Sequence, residues 1–404
     1  MMRTIRTIII LLAALLLAWL LPWCYNFICS SPSESPLTLY SCVTHDFVTF
    51  SFEGKDDTAG YDLAGNSFDE KQFDSIMPTF FYRRLAEDDR LPAQIDGIGF
   101  DLHEVERSNF VFRSSPSDLN RPCTGLYQLL DAAPGREGFR TPDDVFRITH
   151  TGIEFVKMEG NCIDIPKSER FTRVMTDKGF VFPARAVAGN ASTRKVYDNG
   201  YLLIDAAGVP FQLKQLHGRP FVRRIEQPDS VVFTHAFVTE FPDKRLLGFL
   251  GNDRGDIHAL EADYSLHRLP LRPVDLRRER LIIVGDHFYW TAITERQGFE
   301  RLTAVNARDY SLAAEHETDF PAAKWEQARK YLFPFRLVFT ASSDKYVKPR
   351  FHDFSYLALG LNLLLAIGWA VYSRKRRRCR AVRILGILVL GIYLLVPLLL
   401  TSRE

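Results

Sequence analysis

Three long apolar runs frame a chain whose interior alternates in short steps. The first extends from Thr7 to Trp23 behind Arg3 and Arg6. Phe354 to Tyr372 then runs for 19 residues without a charge, and Ile384 to Leu400 for another 17. Each run approaches the ~20 residues a helix needs to cross a hydrocarbon core. The pattern therefore predicts three transmembrane helices, one N-terminal and two C-terminal.

Between the runs the period shortens. A polar linker, residues 30–36, precedes Phe47-Val48-Thr49-Phe50-Ser51-Phe52, a β-branched and aromatic stretch that reads as a strand. Ser67 and Glu70 have capping-box spacing. Behind them Phe73, Ile76, Met77, Phe80, Phe81 and Leu85 recur every three or four residues, so a helix is expected, kinked or restarted at Pro78. A face of that period usually buries itself. After Pro92 short strands and turns dominate, with Ala322 to Leu332 as the best further helix.

Three of these stretches look alike. Tyr201–Asp205 turns at Gly208 into Pro210–Lys214, Leu246–Leu250 at Gly255 into Asp256–Leu260, and Phe288–Ile293 at Gly298 into Phe299–Leu302. A weaker copy surrounds Gly152. The turn glycines are separated by 56, 47 and 43 residues. One hairpin every 40–50 residues is a propeller-like signature. The expected fold is a mainly β extracytoplasmic domain of four or five propeller-like repeats with one short helical insertion, carried by the three membrane helices. A β-sandwich or irregular β assembly with coincidental spacing is the alternative. The expected segments are an anchor at 1–23, a linker at 24–46, the β domain at 47–353, a helix at 354–373, a basic loop at 374–383 and a last helix with its tail at 384–404.

Charge settles the expected sidedness. Arg374, Lys375, Arg376, Arg377, Arg378, Arg380 and Arg383 crowd the short loop between the C-terminal runs. Short Lys/Arg-rich loops stay cytoplasmic, and Arg3 and Arg6 agree. Residues 24–353 would then be exported from a bacterial inner membrane, with the tail Thr401–Glu404 also outside. The N-terminal run reads as an uncleaved anchor or a cleaved signal; Leu21-Pro22-Trp23-Cys24 lacks a small-x-small site, which favours the anchor. The chain's net charge of +2 conceals 41 Lys and Arg against 48 Asp and Glu in the exported segment, about −7. That is no nucleic-acid binder. The loop marks topology and offers a contact for anionic lipid headgroups. Five of the six cysteines fall on the oxidising side, an odd number, with a Cys123–Cys162 bridge as one option.

Catalytic chemistry is sparse. HExxH, GxSxG and phosphate-loop motifs do not occur, no histidine pairs at metal-ligand spacing, and no cofactor, metal or catalytic residue is assigned. Gly97-Ile98-Gly99 begins a dinucleotide pattern that Leu102 breaks. Asp286 and His287 stand before an aromatic strand and form the one acid–base pair to weigh; a histidine there is usually structural. Asn252-Asp253-Arg254-Gly255-Asp256 lacks the closing Glu of a calcium loop and reads as a hairpin turn. Arg272 to Arg280 reads as a solvated connection between units. In the spans, Asn362 is a polar residue mid-helix near the small-xxx-small pair Ala366 and Ala370. Such residues pack helices within the chain or dock it on another membrane protein.

Several stretches together resemble a bacterial membrane-protein family of unknown function: Phe73 to Leu85, Asp144 to Arg147, Arg170 to Ala184, Thr193 to Tyr201 and Gly285 to Thr291. The resemblance implies an accessory protein encoded beside ABC-transporter subunits, and it implies no catalytic residue. The expected function is thus a non-catalytic accessory, binding or scaffold protein acting with an ABC-type transporter. The alternatives are an anchored enzyme acting on the cell envelope and a ligand sensor signalling through a membrane partner.

Overall fold

A computed structural model describes residues 2–29, 37–51, 58–121, 123–136, 138–296, 298–320, 324–339, 347–373 and 380–401. The chain divides into two compact units, Pro36–Thr318 and Met1–Ser35 with Asp319–Glu404. The linker at 30–36, the basic residues Arg374 to Arg378 and Cys379 lie outside the described residues.

The first unit is mainly β. Strands β1 (Thr38–Tyr40), β2 (Phe47–Phe50), β3 (Thr58–Asp62) and β4 (Ser67–Asp69) make an antiparallel meander. Helices α2 (Glu70–Ile76) and α3 (Pro78–Glu87), the small hairpin β5–β6 (Gln94–Ile95, Ile98–Gly99) and α4 (Leu102–Ser108) lead to β7 (Phe110–Ser114) and the one-turn α5 (Pro116–Leu119). A second sheet holds β8 (Asp144–Ile148), β9 (Ile153–Lys157) and β10 (Cys162–Ile163), followed by α6 (Ile165–Asp177). The third runs β11 to β14 (Ala186–Gly189, Tyr201–Ile204, Pro210–Leu216, Arg219–Arg224). The fourth runs β15 to β18 (Phe233–Val238, Leu246–Asn252, Ile257–Glu261, Leu266–Arg268). The fifth has β19 to β22 (Arg280–Gly285, Tyr289–Arg296, Phe299–Asn306, Leu312–Asp319), with β7 added beside β19.

All four hairpins read from the sequence are present, as β8–β9, β12–β13, β16–β17 and β20–β21. Gly208, Gly255 and Gly298 take φ of +86°, +86° and +76° at their turns, a conformation open to residues without a Cβ. Inner strands such as β12, β16 and β17 are buried on both faces because their sheets are packed between others. Side chains alternate across a strand, so Tyr201 and Leu203 join a core with Phe146 and Phe155 of the second sheet and Phe171 of α6. Leu202 and Ile204 join another with Phe233 and Leu250 of the fourth. Leu281 and Ile283 likewise face Phe249, while Ile282 and Val284 face Phe47 and Phe73. The cores thus link the sheets in the order second, third, fourth, fifth, first. Among the described residues no hydrophobic cluster closes a ring between the first and second. The unit is propeller-like without closure.

The helical content exceeds the single insertion expected. At α2 the capping box belongs to Asp69 and Gln72, two residues beyond the Ser67 and Glu70 pair, because Ser67 is still paired in β4. Pro78 opens a separate helix, and Phe73, Met77 and Leu85 are core residues. Both α4 and α6 occupy stretches read as strands and turns. Cys123 and Cys162 are free thiols, as are Cys24, Cys29 and Cys42.

The second unit contains α1 (Met2–Cys29), α7 (Lys324–Leu332), the pair β23–β24 (Arg336–Val338, Arg350–His352), α8 (Ala358–Tyr372), α9 (Arg380–Leu390) and α10 (Ile392–Thr401). Residues 319–353, expected within the β domain, group with these helices. Among the described residues only α1 is long and apolar enough to cross a membrane, as an anchor and a signal sequence both are. The other two expected spans are shorter: α8 has 15 residues, and the last apolar run is split into helices of 11 and 10. The split has a local cause. Gly391 takes φ +55°, which a right-handed helix cannot contain. Along α1 a stripe of Ile10, Ala14 and Ala18 is buried, while Ile8, Leu12, Leu15 and Leu16 are exposed.

Candidate functional site

Loops at one end of the fourth and fifth sheets, with α4, enclose a cavity of about 310 Å3. Asp243 and Arg245 come from the β15–β16 loop, Asp286 and His287 from the β19–β20 turn, Arg308 from the β21–β22 turn, and Glu104, Arg107 and Ser108 from α4. Phe110 and Trp290 supply an aromatic wall, their rings meeting edge to face at 5.2 Å.

Most of its polar groups are committed. Asp286 is buried and accepts hydrogen bonds from the Thr79 hydroxyl (2.8 Å) and the amides of Phe288 (2.7 Å) and Tyr289 (2.8 Å). Burial pushes its carboxyl above the usual range, against those three donors. Its lone pairs are spent on the turn. His287 Nδ1 lies 3.3 Å from Ser108 Oγ, and its Nε2 lies 3.8 Å from Glu104 Oε2. This has the residue types of a nucleophile, base and acid, but not their wiring. Ser108 donates its proton to the Glu104 carbonyl at 2.6 Å, so the imidazole must donate to Ser108 rather than accept from it. A hydroxyl without a base is not activated.

Arg245 is held by Glu261 (2.9 Å) and Tyr310 (2.8 Å) and lies over the Trp290 ring. The side chains of Arg107 and Arg308 make no hydrogen bond or ion pair among the described residues, and the Arg107 charge acts on Asp243. Burial raises the Asp243 carboxyl, opposed by the Arg245 amide and by the charges of Arg245 and Arg107. The cavity therefore presents two uncommitted guanidinium groups beside an aromatic wall.

Other chemistry lies elsewhere in the same unit. A wider space of about 640 Å3 opens among β7, β11 and β15, lined by small and apolar residues such as Val187, Ala188 and Ala236, with Arg113 its one charged group. The Asn252–Asp256 turn is closed by its own side chains: Asn252 accepts from the Arg254 and Asp256 amides and donates to the Asp256 carboxylate. Between the third and fourth sheets, buried Lys195 pairs with Asp198 and, at 2.7 Å, with Glu240, which also accepts from the Asn199 amide.

The residues singled out by sequence are dispersed. Asn362 is fully buried and donates through Nδ2 to the Leu388 carbonyl of α9 at 3.0 Å. Ala366 is buried among Ile10, Ile387 and Leu394, and Ala370 is half-buried. Arg383 is exposed on α9. Arg374, Lys375, Arg376, Arg377 and Arg378 fall outside the described residues, as does the side chain of Arg380. The Lys195 network and the uncommitted Arg107 and Arg308 have no sequence signature: Asp198 is near Lys195 in sequence but Glu240 is 45 residues away, and no motif marks either arginine.

Several solved structures share limited overlap with the chain. They include the Dos1 propeller (11% identity, TM-score 0.26, 44% of this chain and 45% of that one). The Myceliophteria thermophila Cps50 (Swd1) beta-propeller domain gives 11%, 0.27, 55% and 61%. Dihydro-heme d1 dehydrogenase NirN gives 12%, 0.24, 58% and 55%. The chain spans less than two thirds of each, and overlaps this low carry no argument; the fold rests on the sheet order above. No curated protein matches. A family profile matches residues 37–305, two thirds of the chain, and by that match the chain belongs to the family described as Domain of unknown function (DUF4857).

Proposed function

We propose that the chain is a membrane-held, non-catalytic accessory or binding protein that acts with an ABC-type transporter, its β unit on the extracytoplasmic side. One observation carries the membrane reading. In the helical unit the polar Asn362 is buried, while Leu363, Leu364, Ile367 and Val371 of the same helix are more than half exposed. That inverts the arrangement water imposes and suits a hydrocarbon surround. The basic residues at 374–383 orient the helices with that end in the cytoplasm. α1 and the C-terminal helices together exceed what anchoring needs, which supports a partner within the membrane; the transporter itself rests on the family resemblance.

The cavity at Arg107 and Arg308 supports the binding part of the reading, since free guanidinium groups beside an aromatic wall suit an anionic group on a small molecule. The proton commitment of Ser108 weighs against an enzyme centred on His287. Purification of the full chain from its own membranes in mild detergent tests the proposal. Retention through a carbonate wash and stoichiometric co-elution of a transporter subunit are expected. Release by carbonate would end the membrane reading, and a retained chain that elutes alone would end the transporter reading.

A further inference from the structure

We infer that α9 and α10 form a re-entrant hairpin, so that the C-terminus returns to the side from which α9 starts. The inference rests on the membrane reading and sharpens its topology.

Direction is fixed by contacts at both ends of the helices. Asn362, near the start of α8, bonds Leu388, near the end of α9, so these two helices run antiparallel. Gly391 then closes α9 through its amide to the Ile387 carbonyl, and its own carbonyl accepts from Leu394 and Leu395 to begin α10. A Cβ placed on Gly386 would lie 2.6 Å from the Leu394 side chain. In a continuous helix those residues would be separated by about 12 Å along the axis. The chain has folded back. Consistent with this, Tyr393 clusters with Ala18 of α1, and Leu394 and Leu398 cluster with Ala14 and Ile10, closer to the α1 N-terminus.

The lengths agree. Helices of 11 and 10 residues rise about 16 and 15 Å, roughly half of a ~30 Å hydrocarbon core. Breaking a helix at that depth leaves carbonyls without donors, which costs several kcal/mol each in lipid. Asn362 answers one of them at Leu388. Gly391 makes room for it, because a Cβ there would stand 2.0 Å from Asn362 Oδ1. The Nδ2 donor is thus spent inside the chain, while Oδ1, packed against Gly391, has no hydrogen-bond partner among the described residues.

Protease protection on the full chain with an epitope after Glu404 decides the matter. In spheroplasts the β unit should be digested while the epitope survives, and permeabilisation should expose it. Digestion of both in intact spheroplasts would overturn the hairpin and restore a third crossing. If the chain instead leaves the membrane in carbonate, it is the membrane reading that fails. Gly391→Leu, which fills the space Asn362 occupies, should expose at least half of the epitope in spheroplasts; protection unchanged from wild type would overturn the turn at Gly391. Should that variant fail to accumulate, the wild-type pattern still decides.

Discussion

Lys195 shows how much a single side chain carries here. Its ammonium is buried between Asp198 and Glu240, and Glu240 also holds the backbone at Asn199. Removing one member of such a buried set leaves uncompensated charge, at a cost of about 3–5 kcal/mol. Lys195→Met should lower the stability of the β unit by that amount in denaturant melts of the detergent-purified chain; a loss below about 1 kcal/mol would refute the assignment. Gly248 makes a second point. A Cβ there would stand 1.9 Å from the Phe237 carbonyl oxygen on the neighbouring strand, so Gly248→Ala must part β15 from β16, at about 1–3 kcal/mol. A thermal melt superimposable on wild type would contradict that. Neither residue was legible in the sequence. Lys195 lies within a stretch that carries the family resemblance, yet its partner at Glu240 is set by sheet packing, and Gly248 differs from a turn glycine only through its neighbour. Asn362 was legible as a residue out of place; that its partner is a carbonyl freed by Gly391 was not.

Elements were read well where their period was short and their turns glycine-marked. The four hairpins follow from alternation plus a residue free to take positive φ. Helix α6 was missed because only Phe171 and Met175, with Val174 beside them, are apolar residues on its packed face, and beyond the exposed Ile165 and Pro166 the rest of Ile165–Asp177 is polar. Its start did carry a signal, Asp164 followed by Pro166. The Asp164 carboxylate accepts from the Lys167 amide at 3.1 Å, and this bond, with Lys157 nearby, holds its pKa below the usual carboxylate range. A depressed carboxylate pKa stabilises the fold above the unfolded value, near 3.9, and the contribution is lost as pH falls through the folded value. Asp164→Ala should therefore cost about 0.5–2 kcal/mol at pH 7, with the gap from wild type narrowing as pH falls below about 4. A gap that widened in acid would show that the cap acts through something other than its charge.

At the scale of the whole molecule, stacking explains why modest strands suffice. Leu202 and Leu203 are adjacent yet belong to different cores. Replacing either by Ala should cost about 2–5 kcal/mol, and both variants should lower one and the same unfolding transition of the β unit; two separable transitions would deny the continuous stack. The repeat spacing anticipated the stack but not its opening, because closure depends on which sheet meets which. The apolar runs anticipated helices but not their lengths, since hydropathy is blind to one glycine with positive φ. The cross-chain pairing of β7 has a temporal consequence. Phe112 pairs opposite Ile283, and Phe47 packs with Ile282 and Val284. Residues made early therefore lack their partners until the fifth sheet has been synthesised, whereas the second, third and fourth sheets meet their neighbours as they emerge. Long-range pairing of this kind is slow and leaves apolar surface waiting. A nascent chain that stalls before residue 280 would hold a half-built stack with its first sheet unsealed, a natural substrate for the quality-control proteases of its compartment.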